Sequence, residues 1–310
     1  SGNLTLGGAA GGSIASIIGT GAGTLTKSGT GTWTLGGLNT YTGGTTINGG
    51  TLKAGSVTAF GTGAISVSSG AALDLGGQAM TSTGTLTLYG TGISAGGALL
   101  NSGGAATYAG LISLGSDASI MGGSGSITLS NSGTIGGSGN LTLGGAAGGS
   151  IASIIGTGAG TLTKSGSGTW SLSGSNAFTG ATSVSDGTLA LSGGGSIATS
   201  SGVTTSGSGV FSITGASSDV TITSLTGSSS ATTGVVLGGR TLTLSNASGT
   251  YSGVIDGTGG FTLTAGTETL SGANTYSGST AINGGTLKSG SATAFGTGAI
   301  SVASGAALDL

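Results

Sequence analysis

Seven acidic residues are the side chains of this chain that could act as general acids and bases. They are Asp74, Asp117, Asp186, Asp219, Asp256, Glu268 and Asp309. A glycosidase needs two carboxyl groups about 5–10 Å apart across a groove, but these acids are far apart in sequence. The chain also lacks His and Cys, which excludes Ser/His/Asp and Cys/His machinery. We therefore predict that the chain is not an enzyme and has no catalytic residues.

Metal and cofactor sites are not expected either. Calcium-binding Gly-rich repeats place an Asp in each corner, whereas the segment Gly122–Ile127 has the glycines without the Asp. The run Gly19–Gly23 is similar to a phosphate loop, but neither a helix nor Lys-Ser/Thr follows it. Such strings are typical of tight corners, so we predict no metal and no cofactor.

Pairs of threonines separated by one residue could form a flat binding face. They are Thr24/Thr26, Thr32/Thr34, Thr85/Thr87, Thr241/Thr243 and Thr267/Thr269. Stacked arrays of this kind can bind ice, but Thr is also a favoured residue on the outer side of a strand. The pairs are irregularly spaced, so an ice-binding or carbohydrate-binding face is a weaker alternative and the binding residues are unknown.

Composition limits the partners. The chain has five basic and seven acidic residues among 310, with a net charge of −2. So few cations cannot neutralise a phosphate backbone, which argues against nucleic-acid binding. No apolar run approaches the ~20 residues of a membrane helix, so we expect no membrane insertion by this segment.

Internal repetition dominates the sequence. Residues 1–29 recur unchanged at 138–166, and residues 39–75 recur at 274–310 with 31 of 37 positions identical. We predict one continuous solenoid over 1–310, a segment of a longer array. Its repeat units are approximately 1–75, 138–191 and 257–310, and the divergent segments are 76–137 and 192–256.

The hydrophobic pattern predicts strands. Apolar and hydroxyl residues alternate in short stretches every ~8–11 residues, and Gly-rich corners separate the stretches. Repetition favours a solenoid over a sandwich, because every turn of a solenoid meets a like turn. We predict an all-β fold, a parallel β-helix of roughly 12–15 turns with ~20–25 residues each, which would be ~60–70 Å long.

Asparagines and aromatic residues recur at fixed places in the repeats. We predict that the asparagines lie at corners, where Asn tolerates left-handed backbone, and that the aromatic residues pack in the core or at a corner. The asparagines are Asn39, Asn48, Asn176, Asn274 and Asn283, and the aromatic residues are Trp33, Tyr41, Trp170, Phe178 and Tyr276.

One repeat position combines Trp and Glu. Trp33 and Leu35 share strand parity, so both should face inward, and the later copy has Glu268 at the Trp33 position with Leu270 after it. A buried, unpaired carboxylate would be costly. We therefore predict that this position lies at a corner or groove open to solvent.

The motif from Gly19 to Gly55 resembles a known family. Its centre, K-S-G-T-G-T-W-T-L-G-G-L-N-T-Y-T-G (Lys27–Gly43), and its partial copies at 156–191 and 257–310 are similar to the passenger-associated transport repeat. The resemblance implies a right-handed parallel β-helix in the passenger of an autotransporter of a Gram-negative bacterium. It also implies export and display at the cell surface.

The expected function is therefore that of a non-catalytic structural or adhesive rod in a secreted or surface-displayed bacterial protein. Its location would be extracellular, associated with the outer membrane through parts that are not in this chain. Its partner would be a host or neighbouring cell surface, or a further copy of itself stacked end to end. The alternative is a self-assembling subunit of an extracellular fibre.

Overall fold

The chain folds almost entirely into short parallel strands. A computed structural model describes residues 2–310, and the chain divides into two compact units, Ser1–Thr157 and Gly158–Leu310. Parallel sheets form a β-solenoid of about 15 turns. The predicted all-β class and the predicted 12–15 turns are confirmed.

The first unit contains eighteen strands and a short 3₁₀ helix at Ile93–Ala95. The strands are β1 Leu4–Leu6, β2 Gly12–Ile14, β3 Leu25–Lys27, β4 Thr32–Leu35, β5 Thr45–Ile47, β6 Gly50–Ala54, β7 Ile65–Val67, β8 Ala71–Asp74, β9 Ala79–Met80, β10 Leu86–Gly90, β11 Leu99–Asn101, β12 Ala106–Tyr108, β13 Ile112–Gly122, β14 Ile127–Leu129, β15 Thr134–Gly137, β16 Leu141–Gly144, β17 Gly149–Ile151 and β18 Ile154–Ile155.

The second unit also contains eighteen strands. They are β19 Leu162–Lys164, β20 Thr169–Leu172, β21 Thr182–Val184, β22 Thr188–Gly193, β23 Val203–Thr205, β24 Val210–Ala216, β25 Val220–Ile222, β26 Leu225–Gly227, β27 Val235–Gly238, β28 Leu242–Leu244, β29 Ala247–Tyr251, β30 Ile255–Gly257, β31 Phe261–Leu263, β32 Gly266–Leu270, β33 Thr280–Ile282, β34 Thr286–Ser289, β35 Ile300–Val302 and β36 Ala307–Asp309.

Inward-facing side chains form ladders along each unit. Because paired strands are parallel and in register, each inward residue lies on the equivalent residue of the next turn, about 4.8 Å away. One ladder of the first unit runs through Leu52, Leu73, Leu99, Ile120 and Leu143, and all five are buried. One ladder of the second unit runs through Trp170, Leu189, Phe211, Val235 and Ile255. Burying a Leu or Phe side chain contributes roughly 1.5–3 kcal/mol, so these ladders are the cores.

Buried asparagines connect successive turns, among them Asn101, which accepts from the Gly77 amide and donates to the Ser126 carbonyl, and three at repeat positions. The Asn39 side chain accepts a hydrogen bond from the Ile18 amide at 2.8 Å and donates one to the Ala59 carbonyl at 2.6 Å. Asn274 does the same with Ile255 and Ala294. Asn176 donates to the Ser196 carbonyl. Buried backbone groups need such partners, so these side chains supply hydrogen bonds at corners where the strand ladder is interrupted.

The five asparagines do not take the left-handed backbone that the prediction invoked, because Ser94 and Ala95 are the non-Gly residues with positive φ in the described part of the chain. Their side chains are used in two other ways. Asn39, Asn176 and Asn274 are buried and satisfy backbone groups. Asn48 and Asn283 are exposed, and Asn48 accepts a hydrogen bond from the Ser68 hydroxyl at 3.0 Å.

Gly50 occupies a tight corner of the first repeat. Its φ is +63°, and a Cβ at this position would lie 2.4 Å from the Gly31 carbonyl oxygen and 2.7 Å from the Lys27 ammonium. A side chain would therefore meet both an unfavourable backbone conformation and a steric clash. Gly70 has a similar φ of +77° but open space around it, and Gly104 has open space and no positive φ.

These three glycines separate the two effects. We expect Gly50→Ala to lower the urea midpoint strongly and Gly70→Ala to cost only the ~1 kcal/mol of left-handed backbone. Gly104→Ala should be neutral or slightly stabilising. Urea denaturation followed by circular dichroism checks the order, and equal effects of Gly50→Ala and Gly70→Ala would contradict it.

Candidate functional site

The described residues 2–310 form no enclosed pocket. They also hold no group of three or more His, Cys, Asp or Glu side chains that could bind a metal ion. The chemistry-bearing side chains are instead distributed along the turns, one or two at a time.

Aspartates accept hydrogen bonds from the following turn. Asp117 accepts from the Asn140 amide and side chain at 2.8 and 3.0 Å. The same relation joins Asp186 to Ser208, Asp219 to Thr241 and Asp256 to Thr275. These hydrogen bonds lower the pKa of Asp117 and of Asp186. The carboxylates thus act as links between turns, and no contact described for residues 2–310 joins two of them.

Asp74 and Asp309 occupy the same repeat position in different surroundings. Asp74 is buried and accepts from the Gly76 amide and from both the amide and the hydroxyl of Ser102. Lys53 Nζ lies 3.7 Å from its Oδ2. Asp309 is 59% exposed, with Lys288 Nζ 3.5 Å from its Oδ2. Asp74 is therefore satisfied largely by the next turn.

Hydroxyls form single outward columns. On the first unit, one column runs through Thr5, Thr26, Thr46, Ser66, Thr87 and Ser113. The column beside it is broken, because Thr24 adjoins Gly44 in the next turn. On the second unit, Thr267 and Thr269 lie between Ser248/Thr250 and Thr286/Lys288. The predicted Thr pairs thus form a small patch at most within either unit.

Aromatic residues at repeat positions pack inside. Tyr41, Trp170, Phe178 and Tyr276 are fully buried, while Trp33 is half-buried and donates from Nε1 to the Gly7 carbonyl at 2.8 Å. The prediction that they are packing residues is confirmed.

Two of the buried tyrosines, Tyr41 and Tyr276, each form the same kind of hydrogen bond with a threonine four residues later. Tyr41 bonds Thr45 at 2.7 Å and Tyr276 bonds Thr280 at 2.6 Å. Burial raises the pKa of each tyrosine to about 12. Both hydroxyls therefore remain protonated at neutral pH and satisfy a buried Thr.

Two lysines are buried in cages of backbone carbonyls. Lys27 lies in an inward ladder between Leu6 and Ile47, and its Nζ donates to the carbonyls of Ser28, Gly29 and Gly49, each at 2.8 Å. Three acceptors match the three donors of an ammonium group, so each N–H has a partner.

The second repeat reproduces this cage at Lys164. Its Nζ donates to the carbonyls of Ser165, Gly166 and Asp186 at 3.0, 2.6 and 2.9 Å. In both cages one carbonyl comes from the following turn. Burial lowers the pKa of Lys27, and it lowers that of Lys164 to about 8 although the Asp186 carboxylate raises it.

Sequence reasoning missed these lysines. Strand parity puts Leu25 and Lys27 on one face, and this is the signal that could have found an inward Lys. Both lysines are fully buried.

The prediction for Glu268 was wrong. Its side chain is fully buried, not open to solvent, and neither carboxyl oxygen has a hydrogen-bond partner. The expected parity holds, because Glu268 and Leu270 both face inward from β32. In register, Glu268 lies between Gly249 and Leu287, which places it inside a strand ladder rather than at a corner.

Comparison with protein families identifies three segments of the chain. Residues 25–54, 162–191 and 265–288 match the passenger-associated-transport-repeat. Searches of curated proteins and of solved structures found no match. The first two segments contain the caged lysine and the Trp. In the third repeat, Leu263 occupies the Lys27 position and lies before the matched segment. The matched segment itself contains Glu268 at the Trp position.

The cage should stabilise its unit. We expect Lys27→Met, which keeps a similar volume, to lower the free energy of unfolding by about 2–4 kcal/mol, because three carbonyls lose their donor. The control is Lys288→Met at a lysine that is 44% exposed and lies 3.5 Å from the exposed Asp309, where the loss should stay below about 1 kcal/mol. Denaturant titration measures both, and similar losses would contradict the structural role of the cage.

Proposed function

We propose that this chain, which carries three passenger-associated transport repeats on a β-solenoid, is the non-catalytic stem of an autotransporter-type passenger. The single observation that supports this most strongly is the match of three segments to that repeat. The stem would be secreted or displayed at the cell surface of a Gram-negative bacterium and would act as a structural or adhesive rod.

The features of the two units suit a stem. Apolar ladders fill the interiors, and asparagine, aspartate and lysine side chains link successive turns by hydrogen bonds. The outward strand positions carry mainly Ser and Thr, which are neutral and well solvated. No helix within residues 2–310 is long and apolar enough to cross a membrane. These features suit a structural spacer better than an enzyme.

Surface exposure tests the proposal directly. We expect protease added to intact cells that make this protein to remove an epitope within residues 2–310, while a periplasmic marker stays protected. Immunoblotting of whole and lysed cells measures both. Protection of the epitope until the cells are lysed would contradict surface display.

An extended rod also has a defined length. Because the chain has no Cys, Ser13→Cys and Ser301→Cys can be spin-labelled at two exposed positions. A single solenoid over 1–310 predicts ~60–70 Å between the labels at ~4.8 Å per turn, measured by pulsed electron paramagnetic resonance. A main distance below ~40 Å would contradict the rod.

The same labels test association with a further copy. End-to-end stacking would bring Ser301→Cys of one molecule near Ser13→Cys of another, giving a second, short distance that disappears on dilution with unlabelled protein. Self-association and the fibre alternative stay predictions.

A further inference from the structure

Glu268 is the one glutamate of the chain, and it has an unusual environment. Its side chain is fully buried, and both Oε1 and Oε2 lack a hydrogen-bond partner. A buried carboxylate without a partner is strongly disfavoured, whereas the protonated acid costs much less.

The same position of the first repeat shows how the site is built. Trp33 lies in register between Gly12 and Leu52. The indole packs on the glycine so closely that a Cβ at Gly12 would lie 3.0 Å from Trp33 Cη2. Glu268 lies in register between another glycine and another leucine, Gly249 and Leu287. The third repeat therefore has the two apolar neighbours of the indole site with a carboxyl between them.

The charged groups of the neighbouring strands are engaged elsewhere. On β34, Lys288 is opposite the outward Thr269 and lies 3.5 Å from Asp309. On β30, Asp256 accepts from the Thr275 hydroxyl at 2.8 Å.

Of the strands paired with β32, β29 contributes one inward titratable group, Tyr251. On β29, Tyr251 is opposite Leu270 and its hydroxyl lies 3.5 Å from that of Thr205. Tyr276 bonds Thr280 at 2.6 Å. Leu263 occupies the position of the caged lysine, so the turn has no buried ammonium from that position.

We propose that Glu268 makes the packing of the third repeat depend on a proton: the turn around β32 is closed while the carboxyl is protonated and opens when it ionises. The physical reason is that ionisation would place an uncompensated charge in an apolar ladder. Burial raises the pKa of Glu268 to about 8, which is consistent with this geometry.

The direction of the pH effect follows from proton binding. The opened turn, with an ordinary carboxyl near 4.5, releases its proton well before the closed turn does. Between pH 4.5 and 8 the closed state therefore binds more protons, and its stability falls as the pH rises. Below pH 4.5 the stabilisation is fully present, and it is lost as the pH passes 8.

A single carboxyl resonance tests the protonation. Selective ¹³Cδ labelling of glutamate reports on Glu268 alone, because the chain has no other Glu. We expect a midpoint near pH 8 in the folded chain and near 4.3 in urea. A midpoint below pH 5 in the folded chain would overturn the proposal.

Amide exchange tests the opening. After correction for intrinsic exchange, protection of Thr267–Leu270 should fall about tenfold per pH unit between about 5 and 8, while Thr32–Leu35 of the first repeat serves as the control and stays constant. The measurement ends near pH 8, because above it the carboxyl is ionised in both states and the slope levels off.

Two variants isolate the carboxyl. Glu268→Gln resembles the protonated acid, and Glu268→Trp restores the residue of the other repeats; both should remove the pH dependence. If Glu268→Gln fails to fold, Glu268→Trp still decides the point. A pH slope of protection that persists in the folded variant would overturn the proposal. So would recovery of protection in the wild-type protein at pH 8 on addition of Na⁺, K⁺ or Ca²⁺, because it would indicate that a bound cation neutralises Glu268.

Discussion

Each turn of a parallel solenoid directs its backbone N–H and C=O groups along the axis, where only a neighbouring turn can satisfy them. Leu141, Leu143 and Ile151 show the result of this contact. They are fully buried where their strands pair with Ala118, Ile120 and Leu129 of the preceding turn.

The same contact decides whether a polar residue can be inside. Lys27 and Asn39 are tolerated because backbone groups of the adjoining turns complete their hydrogen bonds. The repeats also show a compensated change: Phe178 lacks the hydroxyl of Tyr41, and Thr182 bonds Ser200 at 3.0 Å instead. Replacing Trp33 by Glu268 has no such compensation, because Glu268 lies between a glycine and a leucine. The change from Tyr41 to Phe178 therefore leaves no buried polar group unpaired, whereas the change from Trp33 to Glu268 does, because the neighbouring residues differ.

Much of the fold could be predicted from the sequence. Alternation in Leu25–Lys27 or Thr32–Leu35 determines which residues face inward, and repetition predicts that turns stack on like turns. Parity also placed Glu268 inside, and the prediction failed because a general rule about buried charge was given more weight than the pattern. The cage of Lys27 was not predicted at all. It forms from three carbonyls, two of them adjacent in sequence and one from Gly49. Such partners depend on the corner geometry of the next turn, which strand periodicity does not specify.

The chemically varied side chains of this molecule are mostly buried, and this bears on the proposed stem function. The outward columns are dominated by hydroxyls, whereas the buried positions include two caged lysines, four linking asparagines and one unpaired glutamate. In the proposed stem, stacked repeats would tolerate changes in length because each copy brings its own asparagine link between turns. The third repeat lacks the caged lysine at Leu263 and the indole at Glu268, so its hydrogen bonding relies more on Asn274 and the Tyr276–Thr280 pair. Under the proposal made for Glu268, the third repeat is the one whose stability falls as the pH rises from 4.5 to 8.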